Sequence, residues 1–178
     1  MEECLETERL LIRSVQVEDA AMLAKWKSQF NLREMSVGLK TLINTPNQKR
    51  DIKATLLQGD LYLIIEIKNS RTPIGYIRLG WLDDSHNRCW LSYGLASHYR
   101  EGYCFEALDK LLHSLYKYKL INIIDAEVFE FNIASQKLLK KLGFKYTGKR
   151  RNEYYYKKTN WSIFKYQLSP EDVENGLE

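Results

Sequence analysis

Near residue 100 the hydrophobic period of this 178-residue chain changes, and that change limits the possible folds more than any other feature. Before it, three apolar segments, Leu61–Ile67, Ile74–Leu82 and Cys89–Leu95, are separated by the polar spacers Asn69–Pro73 and Asp83–Asn87. Such spacers are turn chemistry, so the three segments predict an antiparallel meander. After it, Glu106–Lys119 places Ala107, Leu108, Leu111, Leu112 and Leu115 on one helical face. Ile121–Phe129 is β-branched and apolar, the composition of a buried central strand. Ile133–Leu142 returns to helical spacing through Ala134, Leu138, Leu139 and Leu142, with Gly143 placed to end it.

The flanks complete the pattern. Arg9–Arg13 predicts a short first strand, and Glu18–Lys27 a helix through Ala21, Met22, Leu23 and Trp26. Phe30–Asn44 is irregular. Thr45 is a suitable N-cap with Pro46 at the first helical position, opening a helix to about Gln58 that Gly59 closes. Phe144–Leu168, rich in aromatic residues, predicts two strands joined near Lys157–Asn160. The chain has three prolines and no repeat or linker, so residues 1–178 are expected to form one α+β domain.

Several function classes are disfavoured by composition. The 27 Lys and Arg against 23 Asp and Glu leave a net charge of +4. Those cations are scattered apart from Lys140–Lys141, Lys149–Arg151 and Lys157–Lys158, whereas nucleic-acid binders concentrate them in a stripe. The three cysteines, Cys4, Cys89 and Cys104, are odd in number and lack the spacing of a disulfide framework or a zinc site. His86, His98 and His113 share no ligand spacing, and no metal is expected. No apolar stretch approaches the roughly 18 residues that span a bilayer. The chain begins Met-Glu-Glu, acidic where a secretory signal is basic, so a cytoplasmic location is expected.

The segment Tyr99-Arg100-Glu101-Gly102-Tyr103-Cys104-Phe105-Glu106-Ala107-Leu108 closely resembles the pyrophosphate-binding motif of GNAT acetyltransferases. The chemistry fits that role, because the first N–H groups of a helix lack internal partners and its dipole favours an anion there. Gly102 lets the backbone approach phosphates without an intervening side chain. Asn132-Ile133-Ala134-Ser135 followed by Leu142-Gly143-Phe144 resembles the family's next strand-to-helix crossing. Glu8–Arg13 with Asp19-Ala20, and Pro73–Ile77, are similar to the first and third strands of the RimJ/RimL type. Together these segments span nearly the whole chain in family order.

The resemblance implies the GNAT fold, a mixed sheet of about seven strands flanked by about four helices. A V-shaped splay would separate the fourth strand, Cys89–Leu95, from the fifth, Ile121–Phe129, the two diverging after about Leu95. It also implies transfer of an acetyl group from acetyl-CoA to a primary amine: a protein N-terminal α-amine, an amino sugar or a polyamine. Arg100, Gly102, Tyr103, Cys104 and Phe105 would face the pyrophosphate through main-chain N–H groups, and Leu95 the thioester and pantetheine. Asn132 would hydrogen-bond the pantetheine amides; taken alone, it is an N-cap. Ser135 would meet the departing thiolate; taken alone, it is a first-turn helix residue. Tyr99, Cys104, Trp90 and Leu139 depart from the family's usual Gln or Arg, Gly or Ala, Glu, and Tyr.

The reaction needs a neutral amine. A lysine-like amine with pKa about 10.4 is neutral in roughly one molecule per thousand at pH 7, a cost of about 4–5 kcal/mol. An α-amine near 7.8 costs only about 1 kcal/mol, so a modest base suffices. Glu127 is the candidate base, with a strand carboxylate paired to a Lys or Arg as its plainer role. Tyr146 and Tyr155 are further candidate acids. The Lys149–Arg151 run is either a solvated face or a steering patch for an acidic substrate. A non-catalytic acyl-CoA-binding module stays open as the alternative. Monomer and homodimer both stay open.

Overall fold

The computed structural model describes residues 4–29, 43–83, 85, 87–96, 99 and 101–174. In chain order these form β1 (Cys4–Glu6), β2 (Leu10–Ser14), a tight helical turn (Val17–Asp19), α1 (Ala20–Ser28), α2 (Thr45–Leu57), β3 (Leu61–Ile67), β4 (Pro73–Trp81) and β5 (Arg88–Leu95). There follow α3 (Tyr103–Lys117), β6 (Ile123–Phe129), α4 (Ile133–Lys141), β7 (Lys145–Tyr156), β8 (Thr159–Leu168) and α5 (Pro170–Glu174). The eight strands make one mixed sheet in the order β1-β2-β3-β4-β5-β6-β8-β7. Every neighbouring pair is antiparallel except β5–β6, which is parallel.

Two helical layers cover the sheet. On one face Leu108, Leu111, Leu112 and Leu115 of α3 and Leu139 of α4 pack on Ile12, Ile65, Ile77, Cys89, Ile124 and Val128. On the other, Leu23 and Trp26 of α1 and Ile52 of α2 pack on Tyr62, Ile64 and Tyr76. Alternate strand residues thus feed two different cores, as the two-residue period of a strand requires. The second core also holds a cation: Lys27 is 6% exposed, with Nζ 5.1 Å from the ring centroids of both Tyr62 and Tyr76 and 3.7 Å from Asp51. Burial is the main cause that brings the Lys27 ammonium down to about 8.

The predicted elements appear with small shifts at their ends. The cap of α2 is Asn44 instead of Thr45: Asn44 is extended, and its side chain accepts the Asn47 N–H at 2.8 Å. Thr45 is thereby drawn into the helix ahead of Pro46. An eighth strand arises because Cys4–Glu6 pairs with Glu6↔Leu11 to Cys4↔Arg13 in β2, and the C-terminal α5 is a fifth α-helix among the described residues. Most of the irregular Phe30–Asn44 stretch lies outside the described residues. None of the described helices is long and apolar enough to cross a membrane.

Candidate active site

Strand β5 is held differently along its two edges. Against β4 it pairs over its whole run to Leu95, from Trp81↔Cys89 to Gly75↔Leu95. Against β6 it pairs only at Arg88↔Ile123, Cys89↔Ile124 and Trp90↔Asp125. Beyond that point β6 follows β8, pairing from Ile124↔Leu168 to Phe129↔Ile163, while β5 stays with β4. The two strands therefore diverge after Trp90, earlier than the expected Leu95, because β6 is drawn to β8; among the described residues the β5 edge from Leu91 to Leu95 faces a wedge-shaped gap without a strand partner. Gly75 makes the close approach at the end of β5 possible, since a Cβ there would lie 2.5 Å from Gly94 O and from Leu95 Cδ2.

One arm of the gap leads into α3. Gly102 adopts φ +83°, a left-handed conformation that L side chains resist, and α3 begins at the next residue. The first helical bond runs from the Glu106 N–H to Gly102 O at 3.0 Å, so the N–H groups of Tyr103, Cys104 and Phe105 precede the helical ladder. Cations flank this turn. Arg9 lies 4.4 Å over the Tyr103 ring and donates to Glu101 O at 3.2 Å, and Lys141 Nζ lies 3.9 Å over the Phe105 ring.

Glu106, an acid in the first turn, is turned away from these N–H groups, which have no hydrogen-bond partner among the described residues. Its carboxylate accepts from Arg9 Nε at 2.6 Å, from the Arg9 N–H at 3.0 Å and from the Thr7 hydroxyl. Burial acts to raise the Glu106 pKa, but the hydrogen bonds from Thr7 and Arg9 outweigh it and hold the group below the usual carboxylate range. The α3 terminus is thus left open to an external anion. Cys104 packs against the core, and burial pushes its thiol up to about 12, which keeps it neutral and excludes it as a thiolate nucleophile at neutral pH. Arg100 lies outside the described residues.

The other arm runs from β6 into α4. Asn132 caps α4 by accepting the Ser135 N–H at 3.2 Å, and Gln136 Nε2 steadies the same crossing through Glu130 O at 2.7 Å. The Ser135 hydroxyl meets the Tyr93 hydroxyl at 2.7 Å, a contact that bridges the arms of the gap. Burial raises the Tyr93 phenol well above its ordinary value, so it remains protonated at neutral pH.

Glu127 projects from the opposite face of β6. Ile124, Ala126 and Val128 enter the core beneath α3 and α4, and strand alternation places Asp125, Glu127 and Phe129 on the reverse side. There both Glu127 oxygens accept from Arg150 of β7, Oε2 at 2.7 Å from Nη2 and Oε1 from Nη1. The Glu127 side chain is 6% exposed, yet each oxygen keeps a second lone pair for another donor. Trp90 is level with Asp125 in the register, and Leu139 is fully buried. Tyr146 is half exposed and packs edge-on against Phe164 and Tyr166, and Tyr155 is exposed.

Leu95, Gly102, Tyr103, Cys104 and Phe105 therefore gather along one arm of the gap, Asn132 and Ser135 along the other, with Glu127 reached from the opposite face. Sequence reasoning missed Tyr93 and, while giving Glu127 a Lys or Arg partner as its plainer role, did not single out Arg150. The first carried a signal: Cys89, Leu91, Tyr93 and Leu95 share a strand face, and Tyr93 is the polar-tipped member. The second carried none, because Arg150 sits in a basic run and meets Glu127 only through the β6–β8–β7 order.

The chain matches the acetyltransferase (GNAT) domain model over residues 9–145. It is 30% identical over 157 residues to p20 of Bacillus licheniformis, an uncharacterized N-acetyltransferase, across 84% of this chain and 86% of p20. A ribosomal-protein alanine acetyltransferase from Vibrio fischeri superposes with a TM-score of 0.80 at 18% identity, covering 96% of this chain and 98% of that one. RimL, a ribosomal α-N-protein acetyltransferase in complex with coenzyme A, superposes at 0.81 with 13% identity, covering 94% and 98%. With a family model matched over most of its length and a strand gap opening beside a glycine-started helix, the chain belongs to the GNAT acetyltransferase family.

Proposed function

We propose that this chain transfers an acetyl group from acetyl-CoA directly to a primary amine, either a protein N-terminal α-amine or a small-molecule amine such as an amino sugar or polyamine. The observation that carries the reading is the β5–β6 gap with the free N–H groups of Tyr103, Cys104 and Phe105 at its end. Those groups and the α3 dipole suit a pyrophosphate. The unpaired β5 edge suits an extended chain bearing amides, which would dock as an added strand. Main-chain N–H groups near Leu95 would polarise the thioester carbonyl, and Asn132 would meet a pantetheine amide.

The two faces of β6 divide the remaining work. An amine arriving from the Glu127 side would donate a hydrogen bond to that carboxylate, held in place by Arg150. As the N–C bond forms and the C–S bond breaks, the amine proton leaves on that side, and the sulfur departs on the Ser135 side. An α-amine needs little help to become neutral, so a clamped carboxylate that orients it is enough. The name of p20 and the coenzyme A held by RimL support the donor.

Calorimetric titration of acetyl-CoA, free CoA and ADP into the full chain tests the proposal. Binding of about −8 kcal/mol that requires the pantetheine arm is the expected result, followed by turnover with at least one member of an amine panel. Absence of pantetheine-dependent binding would remove the proposal. The clamp on Glu127 favours one second reading, an acyl-CoA-binding module, whose signature would be the same binding with no turnover across that panel.

A further inference from the structure

The Tyr93–Ser135 contact has a direction that the surroundings decide. Among the described residues it is the one hydrogen bond made by either hydroxyl, so a single hydrogen sits between the oxygens and the other is free. Tyr93 lies beneath the first turn of α3 and packs against the apolar core. Ser135 stands at the start of α4 on the arm opposite β5. If serine donated, the buried phenol O–H would be left without an acceptor among the described residues, and an unpaired buried polar group is costly. If tyrosine donates, the phenol is satisfied and the serine hydrogen is left to find an acceptor in the gap.

We infer that Tyr93 is a positioning residue: it donates its O–H to Ser135 Oγ and so aims the serine hydrogen into the β5–β6 gap as a donor for the coenzyme A sulfur. The inference rests on the acetyl-CoA reading above. Donation into the serine oxygen also polarises the serine O–H, which strengthens its bond to an anion. The pair serves as a hydrogen-bond donor and not as an acid. An ordinary thiol has a pKa of about 8.5 and an ordinary phenol about 10, so proton transfer from Tyr93 to the thiolate runs uphill. Burial of Tyr93 steepens that further. The thiolate therefore leaves stabilised by Ser135 and takes its proton from solvent.

The pH dependence of coenzyme binding tests this without any acceptor. Free CoA ionises at sulfur and acetyl-CoA does not, so the ratio of their affinities for the full chain from pH 7 to pH 9.5 isolates the thiolate. In the wild type the ratio should rise by about tenfold in favour of CoA, the strength of one bond to a charged group. Tyr93→Phe and Ser135→Ala should each reduce that rise to a similar degree, and the double variant should do no more than either. The melting temperature of Tyr93→Phe should stay near wild type, and taking the ratio to acetyl-CoA cancels any change in affinity that the two ligands share. Tyr93→Met supplies the same measurement should the phenylalanine variant fail to fold. A rise unchanged in the Tyr93 variants, or losses that multiply in the double variant, would overturn the inference while leaving the acetyl-CoA reading intact. No CoA binding by the wild type would remove both.

Discussion

The two edges of β5 are built from the same eight residues and behave in opposite ways. Toward β4 the ladder runs to Leu95, and at its end, beside Gly75, an added Cβ would lie 2.5 Å from Gly94 O and Leu95 Cδ2. Toward β6 it stops after Trp90↔Asp125. Hydrogen-bonding capacity is a property of the backbone and not of side chains, so the difference lies in the neighbours. β5 returns along β4 as its meander partner, whereas β6 arrives from a helix and is captured by β8. A closed edge holds the fold together; an open one leaves polar backbone available to a ligand.

Breaking the closed edge should cost most. Gly75→Val forces a side chain into Gly94 and Leu95 and is expected to remove about 3 kcal/mol, read from the denaturant midpoint. On the open side, Arg150→Ala leaves the Glu127 carboxylate buried without its partner, at a cost of about 2 kcal/mol. Adding Glu127→Gln to that variant should recover part of the loss, since the amide carries no charge to desolvate. Gly102→Val imposes a side chain on a left-handed residue for roughly 1–2 kcal/mol of stability. It should also weaken acetyl-CoA binding by about tenfold, which is about 1.4 kcal/mol.

The smallest effect belongs to the core away from the gap. Lys27 keeps its proton in the unfolded chain until about pH 10.4, but in the folded chain only until about 8. Below pH 8 both states are charged and the folded one bears the full burden of burying the ammonium. Between the two values the unfolded state binds more protons, so folded stability rises with pH. Lys27→Met should therefore gain about 1 kcal/mol at pH 7, and its advantage over the wild type should shrink from pH 8 to 10. Acetyl-CoA affinity should not change. An advantage constant with pH would mean that Lys27 is not the titrating group.

The meander, the α3 and α4 amphipathic faces and the glycine that opens α3 were legible because each is a local pattern. Period and turn chemistry report on neighbours in the chain. Strand β1 was not legible: Cys4–Glu6 is three residues long, and only its backbone pairing with β2 marks it as a strand. Glu127 and Ser135 were visible as candidates, but not that they would lie on opposite faces of β6. The Arg150 clamp and the Tyr93–Ser135 bridge span 23 and 42 residues of sequence and exist only after the sheet order is set.

Amide hydrogen exchange with and without acetyl-CoA tests most directly whether the open edge of β5 is the ligand site. Slowed exchange at Leu91, Tyr93 and Leu95, whose N–H groups face the gap, and at Tyr103, Cys104 and Phe105, with β3 and β7 unchanged, is the predicted result. Binding of acetyl-CoA that leaves those amides exchanging as before would contradict it.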